Sequence, residues 1–147
     1  MTATLPDATV LAFDFGTRRI GVAVGNTLTR VAHPLTTIGS ERSDQRFATI
    51  AALIEEWRPR ELVVGLPTHA DGAEHEMTRR AQRFARQLEG RFALPVTLVD
   101  ERWTTQAAQE HQDAAGSGGR KGRAVRDQVA AQLILQGWFD DAAGRAS

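Results

Sequence analysis

An aspartate within an apolar run near the N-terminus constrains this chain more than any other feature. Residues 11–17 read Leu-Ala-Phe-Asp-Phe-Gly-Thr, a pattern that predicts a buried strand with Asp14 in its middle, facing a cleft. A second apolar run at 20–25 predicts a neighbouring antiparallel strand, with glycine allowing a close approach. A buried charge of this kind costs several kcal/mol unless a cation or hydrogen-bond donors offset it.

Three interpretations of Asp14 compete. The carboxylate can be a structural group that accepts hydrogen bonds from backbone donors in the next turn. Protein kinases also carry Asp-Phe-Gly, but in chains of about 250 residues, after a Gly-rich loop and a catalytic loop that this sequence lacks. The third interpretation is a metal-binding aspartate on a first strand. The kinase is excluded by length, and the other two stay open on this residue alone.

Composition predicts one compact domain over residues 1–147, with an ordered core at about 8–140. The 147 residues are 41% hydrophobic, which suffices for a sizeable core, and 18 basic residues balance 18 acidic ones. A polyanionic partner must therefore be held by a local patch. The absence of cysteine excludes disulfides, thiolate metal sites and thiol nucleophiles. Without a long apolar segment or signal-like start, we expect a cytoplasmic protein with no membrane partner.

The remaining elements follow from hydrophobic periodicity and turn residues. The sequence predicts strands at 31–38, 61–65 and 95–99, helices at 43–57, 77–88, 104–112 and 125–139, and a frayed tail after 139. Pro34 favours an edge position for the third strand. This order predicts an α/β fold with a mixed five-stranded sheet: three antiparallel strands, then two parallel strands joined through right-handed crossovers, with helices on both faces.

The sequence also predicts three boundaries between elements. Ser43 is a plausible N-cap of the first helix, and Gly90 is expected to close the second. The stretch Ala114 to Gly122 is rich in Gly and Ser, which predicts a mobile loop.

Two further acids can join Asp14 at one site. Glu101 directly follows the fifth strand, and Asp100 shares that location. Because ligands gather at the carboxyl ends of parallel strands, both acids lie where a binding site is expected. Asp127 shares a helical stripe with three apolar residues, so its carboxylate is expected to point towards the core. If it stood alone, the favoured interpretation would be that it stabilises the helix N-terminus through the macrodipole. Together, Asp14, Glu101 and Asp127 offer oxygen ligands of the kind that Mg²⁺ or Mn²⁺ prefers.

Four ordered motifs resemble the YqgF (RuvX) family over nearly the whole chain. They are Phe-Asp-Phe-Gly-Thr at 13–17 with Ile-Gly-Val-Ala at 20–23, Val-Gly-Leu-Pro at 64–67 with Asp-Gly at 71–72, Asp-Glu-Arg at 100–102, and Asp-Gln at 127–128 with 130–136. The resemblance implies a ribonuclease H-like fold and a nuclease of 5′ pre-16S ribosomal RNA maturation; a Holliday-junction resolvase was an earlier proposal. It also implies that Asp14, Glu101 and Asp127 are the catalytic, metal-binding acids.

The sequence departs from the family pattern at two places. His69 stands where the family has Asn, which affects a hydrogen bond on the substrate side. Lys121-Gly122 is farther from Asp127 than usual, and Arg126 replaces an apolar residue, so the register of the basic loop differs. Neither departure affects the three acids.

Several basic residues are candidates for substrate contact. The expected substrate-binding residues are Arg102, Arg120, Lys121, Arg123 and His69, with Arg126 as a further phosphate candidate. Arg102 adjoins Glu101 and can orient it, meet the scissile phosphate or form a plain ion pair. Arg79, Arg83 and Arg86 share one helix face, for which a solvated surface is the favoured interpretation.

Two other function classes compete with the nuclease interpretation. The first motif is also similar to the first phosphate loop of actin-like and sugar-kinase ATPases, but those need a second domain for which this chain has no room. A non-catalytic nucleic-acid-binding module in ribosome assembly is a further alternative. The expected partners are pre-rRNA or branched DNA and ribosomal assembly intermediates. A symmetric resolvase is expected to be a homodimer, and an RNA nuclease can be a monomer.

Overall fold

A mixed five-stranded sheet with the order β3-β2-β1-β4-β5 forms the centre of the protein. The computed structural model describes residues 9–16, 18–66, 75–100 and 119–146. Its elements are β1 (Thr9–Phe15), β2 (Ile20–Asn26), β3 (Val31–Ile38), α1 (Ser43–Trp57), β4 (Glu61–Leu66), α2 (His75–Phe92), β5 (Val96–Asp100) and α3 (Gly119–Ala146). Strands β1 to β3 are antiparallel, and β1, β4 and β5 are parallel. The predicted fold class is confirmed.

Two hydrophobic cores lie on opposite faces of the sheet because side chains alternate along β1. Leu11 and Phe13 pack in the core that contains residues of α1 and α2. Val10 and Ala12 pack in the core that contains residues of α3. Helices therefore cover both faces, as the sequence predicts. None of the helices in the described part of the chain is both long and apolar enough to cross a membrane.

Strand β3 is an edge strand, and α3 covers part of its open edge. The Gln136 side chain accepts a hydrogen bond from the Ala32 amide at 3.0 Å and donates one to the Arg30 carbonyl at 2.9 Å. Gln132 donates to the Ala32 carbonyl at 3.1 Å. These glutamines satisfy backbone groups that an edge strand otherwise offers to another chain.

Two glycines of β2 allow α3 to approach the sheet. A Cβ atom on Gly21 would overlap the backbone carbonyl of Asp127, and one on Gly25 would lie 2.6 Å from the Phe139 ring. Both distances are shorter than any van der Waals contact, so the packing of α3 on β2 requires glycine at these positions. The sequence predicts that glycine lets the two strands approach each other closely, whereas the contact that requires glycine at these two positions is with α3.

The predicted loop at 114–122 is wrong over its last four residues. Helix α3 begins at Gly119 and ends at Ala146, whereas the sequence predicts a start near Val125 and an end at Phe139. Tertiary packing readily overrides low helix propensity in a first turn. Gly122 is buried, so this part of the helix is packed against the rest of the protein. The beginning of this loop and the short helix predicted at 104–112 lie outside the described residues.

Two predicted helix boundaries also differ. Ser43 is the first residue of α1 and not its N-cap; Arg42 occupies that position without a side-chain capping bond. Helix α2 passes through Gly90 and ends at Phe92, followed by Ala93 in a left-handed conformation with φ of 54°. The Ala93 amide still bonds to the Glu89 carbonyl at 3.0 Å. Satisfying this last carbonyl offsets the strain that a non-glycine residue carries there.

The packing of α3 on β2 generates a stability prediction. We expect Gly21→Ala to lower the free energy of unfolding by about 1–3 kcal/mol, because the new methyl group forces α3 away from the sheet. Gly90→Ala is the matched control: a Cβ there meets no other atom within 4 Å, and alanine favours a helix by up to about 1 kcal/mol. Urea denaturation measures both. Equal stability of the two variants would contradict the close packing.

Candidate active site

Asp14 lies at the carboxyl end of β1, on the face that α3 covers. It is the penultimate residue of the strand, nearer the end than the predicted mid-strand position, and it is half-buried. Because side chains alternate, Asp14 shares a face with Val10 and Ala12, which pack in the α3 core. Its partner across the antiparallel ladder is Gly21.

Asp127 lies over this same pair of residues. The ideal Cβ position on Gly21 is 3.0 Å from the Cβ atom of Asp127, so this turn of α3 rests directly on the residue opposite Asp14. Residues opposite each other in an antiparallel pair have Cα atoms about 4.5–5.5 Å apart. Asp14 and Asp127 are therefore neighbours on one face, and the sheet does not separate them.

An ion pair joins Asp127 to the connection between β1 and β2. The Arg19 Nε donates to the Asp127 Oδ2 at 2.5 Å, and the two side chains are 33% and 18% exposed. A charge-assisted hydrogen bond in a partly buried place is stronger than one in water. Arg19 thus fixes the direction of the Asp127 carboxylate and balances part of the negative charge at the site.

A second arginine holds the same connection from the opposite face of the sheet. Arg46 of α1 is 7% exposed; its terminal nitrogen donates to the Gly16 carbonyl at 2.8 Å, and its Nε donates to the Ser40 carbonyl at 2.5 Å. Burial lowers the pKa of the Arg46 guanidinium, and Glu41 opposes this shift. The group stays charged at neutral pH because an arginine pKa lies far above it.

Gly16 is needed where β1 ends. A Cβ atom there would lie 2.5 Å from the Arg19 carbonyl oxygen, so the chain folds back on itself more tightly than any other residue allows. The reversal places Arg19 beside Asp127 and the Gly16 carbonyl beside Arg46. Neither arginine was singled out from the sequence. An arginine shortly after the glycine that follows Asp14 was the available signal for Arg19; Arg46 offered none.

Arg126 is partly buried, and its Nε has no hydrogen-bond partner among the described residues. The side chains of the other predicted site residues are outside what the structure describes. Strand β5 ends at Asp100, at the same carboxyl edge as Asp14, and the next residues in the chain, Glu101 and Arg102, are not described. His69 is not described either. Arg120, Lys121 and Arg123 belong to the first turns of α3, but their side chains are not described. Asp14 and Asp127 are thus the two predicted acids that the structure brings together.

The chemistry of this pair fits a hard divalent cation. Two carboxylates on one face supply oxygen ligands of the type that Mg²⁺ and Mn²⁺ prefer. Within the described ranges, no three His, Cys, Asp or Glu residues form a metal-binding group, so a complete cation site would need ligands beyond these two acids.

Sequence comparison decides the family. The model of the family named RuvX, described as Holliday junction resolvase, matches residues 8–141. The chain belongs to the RuvX family. A Chromobacterium violaceum protein named "Putative pre-16S rRNA nuclease" is 59% identical over 131 residues, which are 88% of this chain and 96% of that one. A Nitrosomonas eutropha protein of the same name is 57% identical over 140 residues, 95% of this chain and 89% of that one.

Solved structures of resolvases share the fold of this RuvX protein. Thermus thermophilus RuvC in complex with a Holliday junction substrate has a TM-score of 0.57 at 16% identity, covering 93% of this chain and 96% of that one. Fowlpox virus resolvase, solved with Holliday junction DNA, has a TM-score of 0.52 at 9% identity, covering 91% and 98%. At these identities the likeness shows a resolvase-like, ribonuclease H-like fold. The resemblance predicted from the motifs is confirmed.

The ion pair between Arg19 and Asp127 generates the next prediction. Arg19→Gln leaves a half-buried carboxylate without its cation, so we expect a loss of about 1 kcal/mol, or about 2–4 °C in the melting temperature. Arg18→Gln is the control, since Arg18 is its exposed neighbour. Both variants lose one positive charge, and melting curves in low salt compare them. A similar change in both would assign the effect to net charge and not to the ion pair.

Proposed function

We propose that this RuvX protein is a divalent-metal-dependent nuclease that hydrolyses phosphodiester bonds during 5′ maturation of pre-16S ribosomal RNA. The observation that carries the proposal is the placement of Asp14 beside Asp127 at the carboxyl edge of the sheet. The names of relatives that are 57–59% identical support pre-16S rRNA as the substrate. We infer a cytoplasmic protein that meets its RNA in ribosomal assembly intermediates.

Each residue has a proposed role in this reaction. Asp14, Glu101 and Asp127 hold Mg²⁺ or Mn²⁺, which when bound supplies Lewis-acid activation of water and of the scissile phosphate. Arg19 orients Asp127 through its 2.5 Å hydrogen bond. The proposed substrate-binding residues are Arg102, Arg120, Lys121, Arg123 and His69. The three arginines and the lysine carry cations that suit phosphate contacts, which position a nucleic-acid strand without reading its sequence, and His69 offers a hydrogen bond.

Replacing the two described acids tests the catalytic assignment. We expect Asp14→Asn and Asp127→Asn each to weaken Mn²⁺ binding and to slow RNA cleavage by at least about 100-fold, because residues that merely orient metal ligands are already worth about 10- to 100-fold. Calorimetry with Mn²⁺ and a precursor-rRNA cleavage assay measure the two effects. Asp140→Asn is the control, since Asp140 is exposed and its described bond is to Gln136, away from the acids and their ion pair.

Melting in chelator separates this role of Asp14 from a structural one. Two neighbouring carboxylates repel each other when no cation lies between them, so Asp14→Asn beside Asp127 should leave the melting temperature unchanged or raise it. A structural carboxylate predicts a loss of about 1–3 kcal/mol, because its charge-assisted bonds disappear. Lower stability with intact cleavage would refute the catalytic assignment.

A Holliday-junction resolvase is the second candidate, favoured by the description of the matching family and by the RuvC-like fold. Symmetric cleavage of a junction needs two active sites related by a two-fold axis. We expect the protein to cut precursor 16S rRNA at least about tenfold faster than a four-way DNA junction in Mn²⁺, and to do so as a monomer. Paired nicking of the junction by a dimer, with RNA left intact, would favour the resolvase.

A further inference from the structure

A cleft with three arginines opens beside the carboxyl end of β1, on the face opposite Asp14. It has a volume of about 310 Å³ and lies between α1 and α2. Its lining includes Arg46 of α1, Arg80 and Arg83 of α2, and the aromatic residues Phe15, Phe47 and Phe84. None of the described residues that line it is acidic. We call this cavity the arginine cleft.

Three aromatic rings form the floor of the arginine cleft. The Phe84 ring lies 5.0 Å from the Phe15 ring and 6.0 Å from the Phe47 ring, measured between centroids. The Arg46 guanidinium lies 5.6 Å from the centroid of Phe15 and is held by the Gly16 and Ser40 carbonyls. A cation fixed in a largely buried position attracts an anion more strongly than one on a solvated side chain. Arg46 is therefore a pre-arranged positive charge.

The charges around the cleft leave it positive. Glu76 bonds to Arg80 at 2.9 Å, and this pair is exposed. Asp44 bonds to Arg42 at 3.1 Å, and Glu41 acts on Arg46 through its charge. Arg83 forms no ion pair with any other residue that the structure describes.

The cleft and the two acids lie on either side of one short stretch of chain. Phe15 in the cleft directly follows Asp14, and successive side chains of a strand point to opposite faces. Arg46 bonds to Gly16, and Arg19 of the same connection bonds to Asp127. A nucleic-acid strand that crosses this edge of the sheet over the end of β1 would pass both places.

We propose that the arginine cleft binds a backbone phosphate of the nucleic-acid strand whose scissile phosphate lies at the acids. The inference rests on the proposed nuclease function and adds a second contact to it. Arg46 and Arg83 provide the cations, with Arg80 at the rim exchanging its exposed bond to Glu76 for the phosphate. Exposed ion pairs of that type contribute at most about 1 kcal/mol, so the exchange is readily made.

Matched double variants of α2 test this site. Arg80→Gln/Arg83→Gln removes two positive charges from the cleft, and Arg79→Gln/Arg86→Gln removes two from positions on the same helix that do not line it. All four arginines are exposed, so the two variants differ in the place of the lost charges and not in their exposure. The probe is a fluorescently labelled single-stranded oligoribonucleotide of the precursor rRNA. Anisotropy in chelator, over a series of salt concentrations, gives the Kd and its salt slope without cleavage.

We expect the cleft variant to raise Kd about tenfold and to reduce the slope of log Kd against log salt by about 0.7, the contribution of one phosphate contact of a single strand. The control variant should change Kd less than about twofold. Equal changes in both variants would show a general charge effect and would overturn the proposal. Failure of the wild-type protein to bind the probe would overturn it as well. Should either double variant unfold, Arg83→Gln against Arg86→Gln makes the same comparison.

The design separates failure of the cleft from failure of the nuclease assignment. Binding is measured in chelator, so its outcome does not depend on the acids. Wild-type cleavage that needs Asp14, together with unchanged binding by the cleft variant, would refute the cleft alone. If only the cleft variant loses binding, and cleavage does not need Asp14, the nuclease assignment alone is refuted.

Discussion

The packing of α3 against β2 is the contact on which the arrangement of the candidate site depends. Gly21 and Gly25 let the helix backbone and the Phe139 ring rest on the sheet with no side chain between them. This approach places Asp127 over the residue opposite Asp14. The absence of side chains at these glycines thus sets the distance between β2 and α3, two elements that are far apart in the chain.

The connection between β1 and β2 links this site to the rest of the protein. It is held on one face by Arg46 and bonded on the other through Arg19. Both arginines make charge-assisted hydrogen bonds in partly or largely buried positions, where such bonds keep a side chain in one orientation. A tight reversal that starts at Gly16 therefore gives the carboxyl end of β1 a fixed geometry, which suits a site where reacting groups must be aligned closely.

Much of the fold was predictable because its signals are local. Alternating and helical periodicity located all five strands and the three described helices, and the order of the elements determined the mixed sheet. The bounds of α3 were not predictable, because Gly119 and Gly122 indicate a loop when read alone. Their helical conformation depends on packing against the sheet, and local propensity does not include such tertiary contacts.

The sequence by itself determined the residue types of the site: an aspartate in an apolar strand, a second on the buried stripe of a helix, and motifs that identify the RuvX family. Only the tertiary structure decided which groups face one another. It paired Arg19 with Asp127, buried Arg46 behind Gly16, and placed the exposed Arg80 and Arg83 at the same cleft as Arg46. Residue type and periodicity follow from local chemistry, whereas such partnerships arise when distant segments are packed together.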